Sequence, residues 1–336
     1  MKTIIDVAKA ANVSVSTVSK VFNGYSDVAD ATRDRILQIA KDLDYFPNHF
    51  ASQLVRRKKE SICVILSMFG HSSSKDEYLV GILSGIHSEA EKHGLRVIIS
   101  TENGIIGDNK NYVQYFHSNK FMGFIIHGLE SNDPEIDHLL DNEIPCVFID
   151  INISGKKTVS VTTDNVRSCS EVVDILAGLG HHHIVFIAGS EMAAVTMERI
   201  KGYEAGMKKN GLVPVLVQAD FTYEFTYKKV KEWMLQAPET TALFCASDVM
   251  ASAAMAACAD LGYLTPDDVS IVGYDDLSFA SYLRPKLSSV AQNFFAIGAE
   301  STATLINMHQ EKEVKPVNYI PYEIRIRQSV AKNTRN

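Results

Sequence analysis

The sequence predicts two architectures on one chain: a small all-α helix-turn-helix head over residues 1–47, and an α/β body of two parallel-sheet lobes over residues 61–336. Three observations carry that expectation. Apolar residues recur at helical spacing through the first part of the chain. From residue 61 onward, short apolar runs alternate with amphipathic stretches such as Tyr78–His93 and Asp248–Gly262, the pattern of repeated βα units and a parallel sheet. The apolar runs also fall into two sets of four at near-constant separation, which implies two similar lobes in tandem. Ile62, Val97, Phe124 and Cys146 begin the first set, and Ile184, Val213, Ala242 and Val269 begin the second. The expected lobes are about residues 61–161 with 291–320, and about 162–290 with 321–331.

In the head, Thr3 precedes an apolar-periodic run of Ile4, Val7, Ala8 and Ala11, and Asp6 follows three residues later, the signature of a capping box. A turn over Ala10–Val13 ends that helix. Ser14 then caps a second helix, Val15 to Asn23, with Val18, Val21 and Phe22 inward and Ser16, Ser19 and Lys20 outward. A third helix, about Asp30 to Leu43, turns Ile36, Ile39, Ala40 and Leu43 inward. The second helix has the chemistry of a recognition helix. Val15 can touch a thymine methyl and Ser16 can bond a base edge, while Lys20 can reach a guanine or a phosphate. Ser14, Thr17, Ser19 and Asn23 suit the backbone around such a contact, where phosphate bonds position a protein without reading sequence.

Residues 48–60 form the linker. Pro47 ends what precedes it, Asn48 can cap a short helix, and His49–Val55 supplies about two turns. A helix that short is marginal in water by itself and needs a second copy and DNA to form. Arg56, Arg57, Lys58 and Lys59 follow.

In the body, polar residues fall at expected strand ends, where open α/β sheets bind ligands. Asp150 ends PCVFID, Ser247 ends ALFCAS, Asp275 ends SIVGYD, Asp220 and Phe221 follow the second strand of the second lobe, and Arg199 opens the helix after its first. Carboxylates and a guanidinium can bond vicinal hydroxyls, while an aromatic face covers a sugar's C–H surface.

Composition narrows the classes. Of 336 residues, 46% are hydrophobic and 22% charged, which fits a soluble globular protein and excludes collagen-like, coiled-coil and disordered chains. No apolar run approaches the ~18 residues of a membrane span, and MKTIIDVAKA lacks the features of a secretory signal. The five cysteines are scattered without a CxxC and read as reduced, buried residues of a cytoplasmic protein. The net charge of −7 is uneven: residues 1–60 hold 10 Lys+Arg against 7 Asp+Glu, and the remainder 23 against 33. A basic head on an acidic body points to a nucleic-acid contact confined to the head. Enzyme motifs are missing: there is no GxGxxG, Walker A, GxSxG or HExxH. Consecutive residues on a strand edge point apart, so His181–His183 reads as a loop-to-strand turn and not as a metal site. No catalytic residue, metal or cofactor is implied.

The strings themselves are specific. TIIDVAKAANVSVSTVSKVFNG and VADATRDRILQIAKDLDYFPN resemble the head of the lactose-repressor family of bacterial transcription regulators. The resemblance continues through IPCVFIDINI, DILAGLGHHHIVFIAGS, ERIKGYEAG and VSIVGYDDLSFASYLRPKLSSV, and so covers essentially the whole chain. It implies a periplasmic-binding-protein-like body and a repressor of carbohydrate-utilisation genes. Such a repressor binds a palindromic operator as a homodimer and responds to a small-molecule effector, a sugar in many members. Some members use a purine or a phosphorylated carrier protein instead. Effector-contacting positions carry over to Asp150, Arg199, Phe221, Ser247 and Asp275, and to Tyr78 and Leu79. The hinge leucine that wedges into the minor groove carries over to Leu54. The chain departs from the family at His49 and Ser52, where Ala and Arg are usual, and at Ser247, where many sugar-responsive members carry Asn. Its end soon after EIRIRQSV carries no leucine-heptad extension, so a dimer is expected over a tetramer. A sugar-binding protein serving a transporter fits the two lobes but leaves the head without a role.

Overall fold

A reciprocal pair of hydrogen bonds starts the chain's first helix. The Thr3 backbone N–H donates to Asp6 Oδ2 at 2.8 Å, and the Asp6 N–H donates back to Thr3 Oγ1 at 3.4 Å, so two otherwise orphaned groups are satisfied. Helix α1 then runs Ile4–Ala10, turns at Asn12 with φ 50°, and gives way to α2, Val15–Phe22, and α3, Asp30–Asp42. Ser14 Oγ accepts the Thr17 N–H at 3.1 Å, fixing the start of α2. One core joins the three helices: Val7, Ala8 and Ala11 meet Val18 and Val21 and then Ile36 and Ala40. A computed structural model describes residues 3–22, 25, 27–43, 45, 60–67, 76–101, 105, 111–129, 133–153 and 155–335. It divides into two units, Met1–Glu60 and Ser61–Asn336. The expected helix at 49–55, with Asn48 and Leu54, lies outside the described residues, as does Asn23.

The second unit contains two six-stranded sheets. In the first, β1 (Ser61–Leu66), β2 (Arg96–Thr101), β3 (Phe124–His127), β4 (Cys146–Ile149), β5 (Thr158–Thr163) and β11 (Val317–Ile320) run in the order β11-β5-β4-β3-β1-β2, all parallel. In the second, β6 (Ile184–Ala188), β7 (Val215–Gln218), β8 (Ala242–Cys245), β9 (Ser270–Asp275), β10 (Ser288–Ala291) and β12 (Glu323–Arg325) run in the order β12-β10-β9-β8-β6-β7. Only the β10–β12 pair in that sheet is antiparallel. The eight strand starts expected from apolar runs lie within two residues of those observed. Helices separate the strands: α4 (Asp76–Lys92), α5 (Tyr112–Asn119) and α6 (Pro134–Asp141) in the first lobe, then α7 (Asn165–Gly178), α8 (Ala194–Lys209), α9 (Tyr223–Gln236), α10 (Asp248–Asp260) and finally α11 (Phe294–His309).

The chain passes between the sheets three times: after β5, after β10 and between β11 and β12. These crossings place α7 and α8 together in the second lobe and bring α11 back against α4 in the first. The α4–α11 contact is close because glycine faces backbone on both sides. A Cβ on Gly85 would stand 2.0 Å from the Phe295 carbonyl oxygen, and one on Gly298 would stand 2.0 Å from that of Ile82. Neither backbone can yield cheaply, so Gly85→Ala and Gly298→Ala should each destabilise the body by about 1–3 kcal/mol. Urea unfolding checks this, and an unchanged midpoint in both variants would contradict the tight crossing.

Candidate functional site

On the head, the start of α2 presents short polar side chains. Ser14 Oγ lies 2.7 Å from Ser16 Oγ and 2.8 Å from Thr17 Oγ1, so three hydroxyls share one hydrogen-bonded cluster. Val15 is 41% exposed beside them, and an open groove next to it is lined by Ile5, Lys9, Asn12 and Ser14. Ser16 and Lys20 are exposed, and Ser19 is half-buried. The buried Val18 and Val21 hold the opposite face against the core, which turns this face outward. Lys20 ion-pairs with Asp27 at 2.5 Å, a partner that sequence periodicity gave no means of finding.

In the body, the ends of β4 and β9 carry carboxylates on unusual backbone. Asp150 follows β4 with φ 62°, Asp275 ends β9 with φ 108°, and Asp276 has φ 54°. Non-glycine residues at positive φ are uncommon and mark strained or functional positions. The Tyr78 hydroxyl, at the start of α4, donates to Asp150, and Thr162 Oγ1 donates to the other Asp150 oxygen at 2.7 Å. Burial raises the Tyr78 phenol well above its ordinary range, and the Asp150 carboxylate adds to that rise, so the phenol stays a donor. Tyr78 also packs edge-on against Phe294, with ring centroids 4.9 Å apart.

Arg199 organises the second lobe's end. It is 4% exposed. Its Nε donates to Asn165 Oδ1 at 2.9 Å, its Nη1 to the Ala246 carbonyl at 2.5 Å, and its guanidinium lies 3.6 Å from the Tyr274 ring centroid. Asp275 Oδ1 is 3.8 Å from Nη2. Gln292 Nε2 donates to the same Asp275 oxygen at 2.8 Å, and Thr163 Oγ1 donates to Gln292 Oε1 at 2.6 Å. Asn165 Nδ2 closes the circuit by donating to Thr162 Oγ1 at 3.3 Å and to the Thr163 carbonyl at 3.0 Å. A continuous polar network therefore joins Tyr78 and Asp150 of the first lobe to Arg199 and Asp275 of the second through two of the crossings. A separate contact spans the lobes: the Ser278 N–H and Oγ donate to the Glu77 carboxylate at 2.9 and 2.6 Å. Thr162, Thr163, Asn165, Gln292 and Glu77 were not among the residues singled out from sequence.

The remaining expected residues divide by what they touch. Phe221 follows β7 and lies flat on Gly189, where a Cβ would come within 2.3 Å of its ring. Ser247 is buried and caps α10, accepting the Met250 N–H at 3.3 Å, next to the carbonyl that holds Arg199. Asp220 turns back to accept from Thr222 N and Oγ1 at 2.7 and 2.6 Å, so its carboxylate serves the turn into α9. Leu79 packs with the first lobe's core. Arg199 does not open its helix as expected: α8 begins at Ala194, which puts Arg199 in the second turn. The Ala193 cap makes no side-chain bond and gave no start signal in the sequence.

Asp276 stands apart from Asp275. Arg325 and Arg327 hold it at 2.6 and 2.5 Å, a structural pairing that leaves it no ligand role. Asp248 is fully buried, accepting from Ser289 Oγ at 2.6 Å and the Leu277 N–H at 2.7 Å. Burial, then the nearby Asp275 charge, raises its pKa well above the usual carboxylate range, although both donors pull the other way. All five cysteines are buried, and burial pushes the Cys63, Cys169 and Cys258 thiols to about 12, far from thiolate nucleophiles at neutral pH. His181 is buried and bonds the Ala331 carbonyl at 3.0 Å, while His182 and His183 are exposed. The described residues contain no cluster of three His, Cys, Asp or Glu side chains placed to hold a metal, and no helix long and apolar enough to cross a membrane.

A helix-turn-helix head on the same chain as a two-lobed body with polar strand ends defines the class of two-part regulators that pair a DNA reader with a ligand-binding module. Comparison with known proteins agrees at both ends. Residues 3–48 match the model for bacterial regulatory proteins of the lacI family, and residues 173–330 match a periplasmic binding protein-like domain. The HTH-type transcriptional regulator CelR of Thermobifida fusca is 27% identical over 319 residues, covering 94% of each chain. The structure of a transcriptional regulator CelR–cellobiose complex superposes with a TM-score of 0.73 at 26% identity, over 98% of this chain and 100% of that one. A lac repressor dimer bound to operator and the anti-inducer ONPF gives a TM-score of 0.81 at 26% identity, over 98% and 99%. The two ends of the chain thus match the two parts of a lacI-type regulator, and the likeness to such regulators runs along nearly its whole length.

Because Arg199 is buried and Asp275 faces it, removing the guanidinium strands a carboxylate in a poorly solvated site. Arg199→Leu should destabilise the second lobe by about 3 kcal/mol. Trp233, the only tryptophan, lies in α9 of that lobe and reports its unfolding by fluorescence. A loss below about 1 kcal/mol would mean that the network is dispensable for stability.

Proposed function

We propose that this chain is a sequence-specific DNA-binding transcriptional repressor that acts as a homodimer on a palindromic operator under the control of a small-molecule effector. The observation that carries the reading is the joint presence of the exposed α2 start and the Tyr78–Asp150 and Arg199–Asp275 groups at facing strand ends. Residues 1–47 serve as the DNA-binding head, residues 48–60 as the hinge and linker, and residues 61–336 as the effector-binding and dimerisation body. Ser14, Val15, Ser16, Thr17, Ser19 and Lys20 meet DNA in the major groove, together with Asn23. Asn48 and Leu54 act at the operator centre. The protein works in the cytoplasm and has no enzymatic role, and it requires no cofactor.

The effector is a sugar, and its class follows from the residue chemistry. Asp150 and Asp275 accept from hydroxyls, Arg199 and Tyr78 donate, and the Phe221 ring offers an apolar face. The likeness to the cellobiose-bound regulator supports this class. Ser247 has a shorter reach than an amide at that position and already caps α10, so its share of ligand binding is small. Effector and DNA affinities are coupled reciprocally, typically by about 1–3 kcal/mol.

Thermal unfolding of the full chain against sugars, sugar phosphates, nucleosides and purines tests the effector assignment. A ligand at 100 times its dissociation constant should stabilise the fold by about 2.7 kcal/mol, and Asp275→Ala should abolish that shift. A shift with a purine alone would replace the sugar. No shift with any compound would move the control to a protein partner.

DNA binding is tested separately by selecting the preferred duplex in vitro. Lys20→Ala should relax discrimination at one position of each half-site by about 1–3 kcal/mol. An even loss across all sequences would reassign Lys20 to phosphate, and no loss would sink the recognition-helix reading.

A further inference from the structure

Lys20 is the cation that α2 presents for DNA, and its ammonium already has a partner. Asp27 Oδ2 holds Lys20 Nζ at 2.5 Å, with the two side chains 48% and 54% exposed. Asp27 sits in the connection between α2 and α3, and that connection is tied down nearby. The Tyr25 N–H donates to the Lys20 carbonyl at 3.1 Å, and Arg33 Nη2 donates to the Tyr25 carbonyl at 2.5 Å. The carboxylate thus approaches Lys20 from a backbone anchored both to the end of α2 and to α3. Its acid form is disfavoured by the hydrogen bond from Lys20, so the group is ionised at neutral pH.

We propose that Asp27 is a specificity-determining residue that acts through Lys20: its carboxylate competes with DNA phosphates for the ammonium and so restrains binding to DNA of arbitrary sequence. The inference rests on the reading of α2 as the recognition helix. An exposed ion pair adds little to folding stability, so the pair's consequence lies in binding. A lysine that neutralises a phosphate releases condensed counterions, and that gain drives sequence-independent affinity. With Asp27 in place, the gain is reduced twice. The ammonium must leave a carboxylate to reach a phosphate, and the carboxylate then stands within a Debye length of the DNA backbone, which it repels. At a cognate site, base-edge bonds to Lys20 and the neighbouring hydroxyls offset this cost. At an arbitrary site nothing does. Specificity is a difference of affinities, and a repulsive group that penalises the wrong partner more than the right one widens it.

The test uses the full-length protein and a short duplex of random sequence, titrated between about 50 and 200 mM salt. Asp27→Asn keeps the shape and removes the charge. It should raise affinity for the random duplex several-fold at the low-salt end and steepen the slope of log K against log salt by about 0.9, the value of one added phosphate contact. In a Lys20→Met background, the same Asp27→Asn change should have little effect. Equal gains in both backgrounds would show that Asp27 acts only as diffuse negative charge and would overturn the proposal. So would unchanged or weakened binding of Asp27→Asn while Lys20→Met alone lowers affinity. If Lys20→Met leaves binding unchanged on the preferred duplex as well as on the random one, the recognition-helix reading fails and takes the proposal with it, an outcome distinct from failure of the competition alone.

Discussion

A single buried guanidinium sets the geometry on which the body's chemistry depends. Charges are rarely taken out of water without partners, since desolvation costs several kcal/mol per ion. Arg199 is accommodated because three different parts of the second lobe meet it: Asn165 at the start of α7, the Ala246 carbonyl after β8, and the Tyr274 ring in β9. Each contact fixes one edge or face of a planar group, so the three elements cannot shift independently. Asp275 then finds a cation at 3.8 Å, at a strand end whose backbone is strained at φ 108°. Tyr274 also reaches Ser168 Oγ at 2.9 Å, which ties the ring that supports the cation to α7.

The same network determines how the two lobes are linked. Thr162 and Thr163 end β5 in the first sheet, and Gln292 follows β10 in the second, so each sits at a crossing. Their hydrogen bonds run to Asp150 on one side and Asp275 on the other. A ligand that bonded either carboxylate would compete with these internal donors or extend them. Under the proposed function, that competition converts occupancy of the strand ends into a change at the crossings. A ligand shifts such an equilibrium only by its differential affinity for two arrangements. The Glu77–Ser278 contact adds a direct bridge of three hydrogen bonds between the lobes. The bridge is exposed on both sides, so it has modest strength by itself.

How much of this was legible in the sequence depended on what signal each part carried. Strands β1, β3, β4, β6, β8 and β9 contain continuous apolar runs because both faces of a parallel sheet are buried, and the edge strands β2 and β7 keep short apolar runs although they are partly exposed, so all eight starts were readable. Strands β5 and β10 are buried too, but they are written TVSVTT and SSVA. Ser160, Thr163, Ser288 and Ser289 are buried in them, held by hydrogen bonds to distant backbone or side chains. A strand stabilised in that way has no apolar run to announce it. The site divided along similar lines. Asp150 and Asp275 stood at strand ends that periodicity could place, and the family resemblance marked them together with Arg199, whose helix start the sequence misplaced. Gln292, Thr163 and Asn165 join the site only through contacts across the crossings, and Thr163 and Gln292 lie 129 residues apart. The head was more readable because its capping box and turn are local, with every determinant within three or four residues.

Charge is distributed unevenly between the two units. Residues 1–60 carry a net +3 and residues 61–336 a net −10, so attraction to a polyanion is confined to the head and opposed by the rest. A chain charged in this way gains little from DNA it does not read. Under the proposed function, pairing Lys20 with Asp27 applies the same logic at the scale of one side chain, placing a negative group beside the cation proposed to meet the bases. Non-specific sites in a genome vastly outnumber cognate ones, so occupancy depends on the ratio of the two affinities more than on either alone. A reader that lowers its sequence-independent affinity, by an acidic body and by an internal competitor for its lysine, gives up total binding strength. In return, a larger share of its affinity comes from base edges, which are the part that distinguishes one site from another.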